Sequence, residues 1–392
     1  MDIFDLEKEQ RIHITCAKAV EDYLAQEVDE LGYDVLKKSA AGVETEGTFS
    51  DCMLLNLYLH TAHRVLLTIA EFRATDPDEL YQGVARIPWE TLIDAHGYVS
   101  VVATANTTAV KNTRFAGLKA KDAIVDRILK ERGARPNSGP DKTQTVVALH
   151  WQDDLVRISL DTSGVPLSNR GYRTMPHKAP MRETLAAAAL LAAGYTGEGA
   201  VVNPMCGSGT LALEAALIAS HTAPGLLRDN FGFMHVLGYD PAEWTEMRND
   251  ALSRRKAPEW QIIATDRDPK AIEAAQNNAK NAALSSVVDF AVCDFRATEI
   301  PQEQGKGIVI LNPEYGERLG EEKALEEVYR AIGDFFKSEC KGYTGAIFTG
   351  NRNLAKCIGL KTRRKIPLFN GPIECRLLLF DLYAGSRRED KK

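Results

Sequence analysis

Val201-Val202-Asn203-Pro204-Met205-Cys206-Gly207-Ser208-Gly209-Thr210-Leu211-Ala212 decides the reading of this chain. Two small apolar residues lead into a polar turn that contains a proline. A glycine-rich bend follows, and an Ala/Leu-rich segment runs on to about Ser220. The pattern predicts a strand, a tight loop and a helix N-terminus. Gly207 and Gly209 let the backbone come close to a ligand, and the open N–H groups of a first helical turn suit a carboxylate or another anion. A small cofactor is expected over this loop.

Toward the C-terminus, residues 261–265 read as a strand ending at Asp266, and Asp268-Pro269 opens a helix through Ala283. Residues 287–292 form a strand ending at Cys293-Asp294. Residues 307–311 form another, ending at Asn312-Pro313-Glu314-Tyr315-Gly316. A helix over 322–340, a strand over 345–349, and a hairpin signal at Asn370-Gly371 between 361–369 and 373–383 complete this half. Strand and helix alternate and close with an antiparallel pair. That predicts an α/β, doubly wound, mostly parallel sheet with an antiparallel edge. Ligands of such sheets sit beyond the carboxyl ends of the strands, where Asp266, Asp294 and Asn312 all fall. The loop also satisfies G-x-G-x-x-A, a weak dinucleotide signal. That pattern wants an acid about 20 residues on. Asp266 stands 57 residues past Gly209, and no hydride-accepting site is apparent, so a nicotinamide enzyme is disfavoured.

Toward the N-terminus, residues 182–193 read as a helix, and 164–180 as an irregular basic junction holding Arg170, Gly171, Tyr172 and Arg173. Residues 222–260 look like an insertion with a helix from Trp244 to Arg255. Residues 11–16, 42–48 and 64–72 read as strands, and 19–31 and 51–59 as helices, which together suggest a small α+β unit. Farther on, 76–85 is helical, 99–105 is a strand, 146–151 and 155–161 form a hairpin, and 133–142 is a loop. Between them, 117–132 is an amphipathic helix with Ala120, Ile124, Ile128 and Leu129 inward.

At 44% hydrophobic and 26% charged, the 392 residues are an ordinary globular composition of two or three domains. The acidic start lacks a signal-peptide pattern, and the apolar run 185–193 is too short for a membrane span. The seven cysteines form no Cys-x-x-Cys pair, which suggests reduced thiols and a cytoplasmic protein. His60 and His63, three apart on an expected helix, lack a third ligand, so no metal is expected. Net charge is −6, yet residues 111–135 carry 8 basic residues against 3 acids, and 351–365 carry 6 basic residues and no acid. Local basic patches on an acidic protein either grip phosphates or are solvated helix faces.

Asn312-Pro313-Glu314-Tyr315 brings specific chemistry. An Asn side-chain oxygen and the following carbonyl both accept from one exocyclic amino group, and an aromatic ring two residues on stacks on a base. The amino nitrogen of guanine or adenine is a poor nucleophile because its lone pair is delocalised into the ring. Two acceptors out of the base plane favour a tetrahedral nitrogen and stabilise the positive charge that develops during attack.

In this combination the chain resembles the class I S-adenosylmethionine (SAM)-dependent methyltransferases of amino groups. It resembles more closely the bacterial RNA guanine-N2 methyltransferases that carry a THUMP domain. The likeness spans nearly the whole chain. The N-terminal α+β unit and Lys121-Asp122-Ala123-Ile124-Val125-Asp126 are similar to the ferredoxin-like and THUMP regions. Arg170-Gly171-Tyr172-Arg173, followed by Ala179-Pro180-Met181-Arg182-Glu183-Thr184-Leu185-Ala186, is similar to the lead-in to the catalytic domain. Asn203–Thr210 resembles the cofactor loop, and Asn312–Arg318 the catalytic Asn-Pro-Pro-Tyr-Gly stretch.

The resemblance implies a Rossmann-like methyltransferase with a seven-stranded sheet at 166–392, a ferredoxin-like domain at 1–67 and an RNA-binding THUMP domain at 68–165. It implies that Asn203, Pro204, Cys206, Gly207 and Gly209 hold the methionine part of SAM. Asp266 would accept from the ribose hydroxyls and Asp294 from the adenine amino group. Asn312, Pro313 and Tyr315 would be catalytic. Lys111, Arg114, Lys119, Lys121, Arg127, Arg363 and Arg364 are the candidate phosphate contacts. The implied product is N2-methylguanine in 23S rRNA. The alternatives are the same modification in tRNA, adenine-N6 methylation, and an RNA-binding protein without catalysis. Two positions depart from the family pattern. Asn203 stands where Asp is usual, which keeps an acceptor but loses a charge. Glu314 stands where a second Pro is usual.

Overall fold

The computed structural model describes residues 5–174, 181–302, 307–314 and 322–383. They divide into two units: Met1–Ala17 with Leu24–Leu167 and Pro224–Ala251, and Lys18–Tyr23 with Ser168–Ala223 and Leu252–Lys392. Among the described residues no helix is long and apolar enough to cross a membrane.

The first unit contains β1 (Gln10–Cys16), β2 (Lys37–Ser39), β3 (Gly42–Gly47), β4 (Ala62–Arg73), β5 (Tyr98–Asn106), β6 (Asn137–Ser138), β7 (Thr145–Gln152) and β8 (Leu155–Asp161). They make one sheet in the order β2-β3-β1-β4-β8-β7-β5-β6. β4 runs across residue 67, and its antiparallel pairing with β8 joins the strands of the two expected N-terminal regions. α1 (Glu21–Glu30), α2 (Phe49–Tyr58), α3 (Pro77–Ala85) and α4 (Thr113–Arg132) complete this half of the chain. Local chemistry sets their ends. Thr48 and Asp51 form a reciprocal capping box on α2. Asp76 caps α3 ahead of Pro77. Asn112 opens α4, and Gly133 closes it at φ +70°.

α4 buries Ala116, Ala120, Ile124 and Ile128, residues four apart on one stripe. Leu129 is one step off that stripe and is 43% exposed, so the inward placement expected for it is not found. α2 ends at Tyr58 and β4 begins at Ala62, so His60 and His63 do not share a helix face.

Pro224–Ala251, most of the 222–260 stretch read from sequence as an insertion, packs in the first unit. The Phe233 amide donates to the Thr162 carbonyl (2.9 Å) and the Leu237 amide to that of Leu92 (2.9 Å). The Arg228 guanidinium donates to the carbonyls of Ser163 (3.1 Å), Val165 (3.0 Å) and Pro166 (3.0 Å). Phe231 stacks on Phe233 at 5.0 Å, and Trp244 meets both edge-on.

In the second unit the strands are β9 (Val201–Pro204), β10 (Ile262–Asp266), β11 (Val288–Val292), β12 (Ile308–Leu311), β13 (Thr344–Thr349), β14 (Arg364–Asn370) and β15 (Ile373–Asp381). Their order is β11-β10-β9-β12-β13-β15-β14. The first five are parallel, and β15 runs antiparallel to β13 and β14. Asn370 pairs with Ile373, so the turn residues are Gly371 (φ +61°) and Pro372. Proline cannot adopt φ > 0, so glycine takes the left-handed first position. The helices of this unit are α5 (Glu183–Ala192), α6 (Thr210–Ala219), α8 (Pro269–Asn281), α9 (Glu322–Ser338) and α10 (Arg352–Cys357), while α7 (Pro241–Ser253) falls almost wholly in the first unit. Tyr329, Ile332 and Phe336 of α9 pack on Val202, Val309, Leu311 and Ile347, burying one face of the central strands. The strand order reverses between β9 and β12, so the crevice at their carboxyl ends is the natural binding place.

Candidate active site

The loop after β9 is fastened from two sides. The Cys206 amide donates to the Thr265 carbonyl (2.9 Å), and the Gly207 amide to Asp266 Oδ2 (2.9 Å). From α8, Asn278 Nδ2 donates to the Ser208 carbonyl (3.1 Å). Gly207 has φ +56°, and a Cβ there meets nothing within 4 Å, so open space lies before the loop. Gly209 (φ +81°) caps α6, and a Cβ there lies 3.0 Å from that of Ala275. Both glycines therefore answer a backbone requirement.

Asp266 ends β10. Its Oδ2 takes the Gly207 amide and its Oδ1 the Asp268 amide (3.0 Å), while the cap of α8 is Asp268. Each Asp266 oxygen keeps a second acceptor site. Asp294 follows β11 and caps the short turn at Phe295. It accepts the amide (3.0 Å), Nε (2.7 Å) and Nη2 (3.0 Å) of Arg296. The guanidinium holds this carboxyl below its ordinary value. Burial and nearby Asp266 push the Cys206 thiol up, which argues against a nucleophilic role.

Asn312 and Pro313 leave the end of β12. Among the described residues no donor reaches Asn312 Oδ1, although that atom is buried. A buried acceptor of this kind is costly unless a ligand supplies the donor. Tyr329 OH sits 2.9 Å from Thr349 Oγ1 and donates to the Glu314 carbonyl (3.4 Å), which steadies the backbone after Pro313. The Glu314 side chain is exposed. Tyr315 lies outside the described residues.

A pocket of about 640 Å³ joins these groups, with Cys206, Gly207, Asp266, Asp294, Asn312 and Pro313 on its wall. Met181, Thr210, Arg267 and Arg296 also line it; no sequence pattern marks them for this place. Asn203 and Pro204 are buried and are not among the lining residues. The side chain of Asn203, only 1% exposed, donates to the Ile310 carbonyl (2.8 Å). It extends the tie between β9 and β12 past their last paired residues, Val202 and Val309. Its Oδ1 has no described partner.

The candidate phosphate contacts differ in their surroundings. Lys119 pairs with Asp78 (2.9 Å), Lys121 with Asp122, Arg127 with Glu90 and Glu131, and Arg363 with Asp381 (2.9 Å). Lys111 and Arg114 flank the start of α4 as exposed residues, with no acid paired to either among the described residues. Arg364 is exposed on β14, the edge strand of its sheet.

The sheet order and the crevice after β9, β10, β11 and β12 define a class I methyltransferase fold. The chain belongs to the family described as the RMKL-like methyltransferase domain, whose model matches residues 170–378. An RlmL ferredoxin-like domain matches 11–66, and a THUMP domain matches 74–161. The ribosomal RNA large subunit methyltransferase K/L of Syntrophotalea carbinolica is 40% identical over 377 residues, covering 94% of this chain and 53% of that protein. The chain thus spans about half the length of the curated relatives it matches. Among solved structures, SMU.472, a methyltransferase candidate complexed with SAH, is 29% identical with a TM-score of 0.85, covering 97% of this chain and 100% of that one. A candidate N6-adenine-specific DNA methylase from Listeria monocytogenes is also 29% identical with a TM-score of 0.85, covering 96% and 97%.

Proposed function

We propose that the protein methylates the exocyclic N2 of a guanine in 23S rRNA, using SAM held in the pocket described above. The observation that carries this reading is the buried Asn312 Oδ1, which no donor reaches among the described residues, on the wall shared with Gly207, Asp266 and Asp294. The bound cofactor supplies an electrophilic methyl group on a sulfonium. The neighbour's complex with SAH supports a ligand of this class. The 203–209 loop, Asp266 and Asp294 hold it through the methionine part, the ribose and the adenine respectively. The one remaining acceptor site on Asp294 Oδ2 serves the adenine amino group.

Asn312 Oδ1 and the Pro313 carbonyl accept the two N–H groups of the target amine. This draws the nitrogen toward tetrahedral geometry and stabilises its developing charge, and the proton then leaves to water. The target base must leave its stack to reach Tyr315, the aromatic residue of the Asn-Pro-x-Tyr motif. Residues 68–165 bind RNA through Lys111 and Arg114, and 1–67 and 166–392 form the ferredoxin-like and catalytic domains of a cytoplasmic enzyme. The large-subunit substrate is supported by the name of the Syntrophotalea relative.

Adenine N6 is the second reading, favoured by the description of the Listeria neighbour. The test is labelled SAM with total RNA from a strain lacking the corresponding gene, digested to nucleosides. Label in N2-methylguanosine from large-subunit RNA is expected. Label in that nucleoside from tRNA moves the substrate, and label in N6-methyladenosine overturns the base assignment. An absence of label and of SAH binding leaves an RNA-binding protein.

A further inference from the structure

The stretch Arg170-Gly171-Tyr172-Arg173 precedes the methyltransferase sheet and has no part in the chemistry above. Its contacts converge on α6. Thr210 and Glu214 are four residues apart there and so share one helix face. Arg170 Nη2 donates to Glu214 Oε2 (3.3 Å) and Tyr172 OH to Glu214 Oε1 (3.1 Å). Glu214 is fully buried, and the Arg170 side chain is 2% exposed. One turn nearer the pocket, Arg173 Nη2 donates to Thr210 Oγ1 (3.0 Å) and to the Met181 carbonyl (2.7 Å). The same guanidinium lies 3.2 Å from Glu183 Oε1 at the start of α5. Two arginines thus face two carboxylates, a neutral buried cluster behind the ligand loop. Asn281 of α8 ties the stretch down through the Tyr172 carbonyl (3.0 Å).

Thr210 and Met181 both line the pocket, and a single nitrogen holds them together. We infer that Arg173 is a positioning residue for the cofactor: it sets the first turn of α6 against the chain at Met181, and so the width of the pocket at that end. The cofactor half of this inference rests on the proposed function. A planar guanidinium directs donors at several fixed acceptors, which a lysine ammonium cannot do in the same geometry.

The experiment is SAH calorimetry on wild type, Arg173→Gln, Arg173→Lys, Thr210→Val and Thr210→Ser, with unfolding curves on each. Arg173→Gln is expected to weaken SAH about tenfold, the equivalent of one hydrogen bond's net contribution. Arg173→Lys should fall between it and wild type. Thr210→Val should weaken binding and Thr210→Ser, which keeps the hydroxyl, should not. The Arg173→Gln/Thr210→Val double variant should lose less than the two single losses combined. Hydrogen exchange of the Thr210 and Leu211 amides, measured without ligand, should quicken in Arg173→Gln.

SAH affinity within twofold of wild type in Arg173→Gln, or fully additive losses, would overturn the inference. If Arg173→Gln does not fold, the Thr210 pair carries the same test, and equal affinity of the Val and Ser variants overturns it. Exchange that quickens in Arg173→Gln while wild type binds no SAH would uphold the positioning role and remove the cofactor reading. Unchanged exchange would remove the positioning role.

Discussion

Asp266→Asn is the most informative single change at the ligand loop. The native carboxylate serves two backbone donors at once, Gly207 N–H on Oδ2 (2.9 Å) and Asp268 N–H on Oδ1 (3.0 Å). The amide that replaces it has one acceptor. Its NH2 group must face one of those N–H donors, so either the loop or the start of α8 loses its fastening. On the same side it loses the free acceptor site assigned to a ribose hydroxyl, and the surviving bond is no longer charge-assisted. A hydrogen bond to a charged group contributes about 1.5–3 kcal/mol, so losing one and weakening another costs about 2–4 kcal/mol of binding, or about 30- to 1000-fold in Kd. Because Asp266 is partly exposed, the expected value is at the low end, about 30- to 100-fold. Titration calorimetry with SAH reads the affinity, and a thermal melt on the same sample reads the fold. A Kd within about threefold of wild type, with the fold intact, would refute the placement of the ribose at Asp266.

Three further outcomes are expected. Arg228→Ala strands the carbonyls of residues 163, 165 and 166 and removes the cation over the Phe231 ring. It should cost about 2–4 kcal/mol in denaturant unfolding of the first unit. The Lys111→Ala/Arg114→Ala double variant should weaken RNA binding and lower the log–log salt slope by about 1–2 in filter binding, since each contact to a single strand contributes about 0.7. Arg127→Ala, whose native guanidinium is already paired with Glu90, should change that slope less.

The third outcome concerns pH. Arg296 holds the Asp294 carboxyl below its unfolded value, so the pair stabilises the fold above that value and ceases to as pH falls through the folded one. The gap in unfolding midpoint between wild type and Arg296→Gln should be flat from about pH 7 to pH 5 and close below about pH 4.

Much of the second unit was legible because local rules and topology agree there. Each of Asp266, Asp294 and Asn312 follows a short apolar run, and a parallel sheet brings the carboxyl ends of its strands to one crevice. Gly207 and Gly209 stand at positive φ, as a tight strand-to-helix turn requires.

What escaped the sequence depends on partners far along the chain. Arg228 looks like any basic loop residue until the carbonyls of residues 163–166 come beside it. The stretch 170–173 reads as a junction, because nothing local marks Glu214 and Thr210 as its acceptors. Counting cations over 111–135 overstates the open charge, since Asp78 and Glu90 reach back to Lys119 and Arg127. The tie that the Asn203 amide group makes across to β12 likewise becomes visible only once the two strands are neighbours.

The most direct measurement is methyl transfer and SAH binding in Asn312→Ala, side by side. In the proposed reaction Asn312 Oδ1 serves the target amine and not the cofactor. Transfer to guanine N2 should therefore fall about 100- to 1000-fold, the usual cost of removing one group that stabilises developing charge, while SAH still binds within about threefold of wild type. Transfer at near wild-type rate, or loss of SAH binding together with transfer in a folded variant, would contradict it.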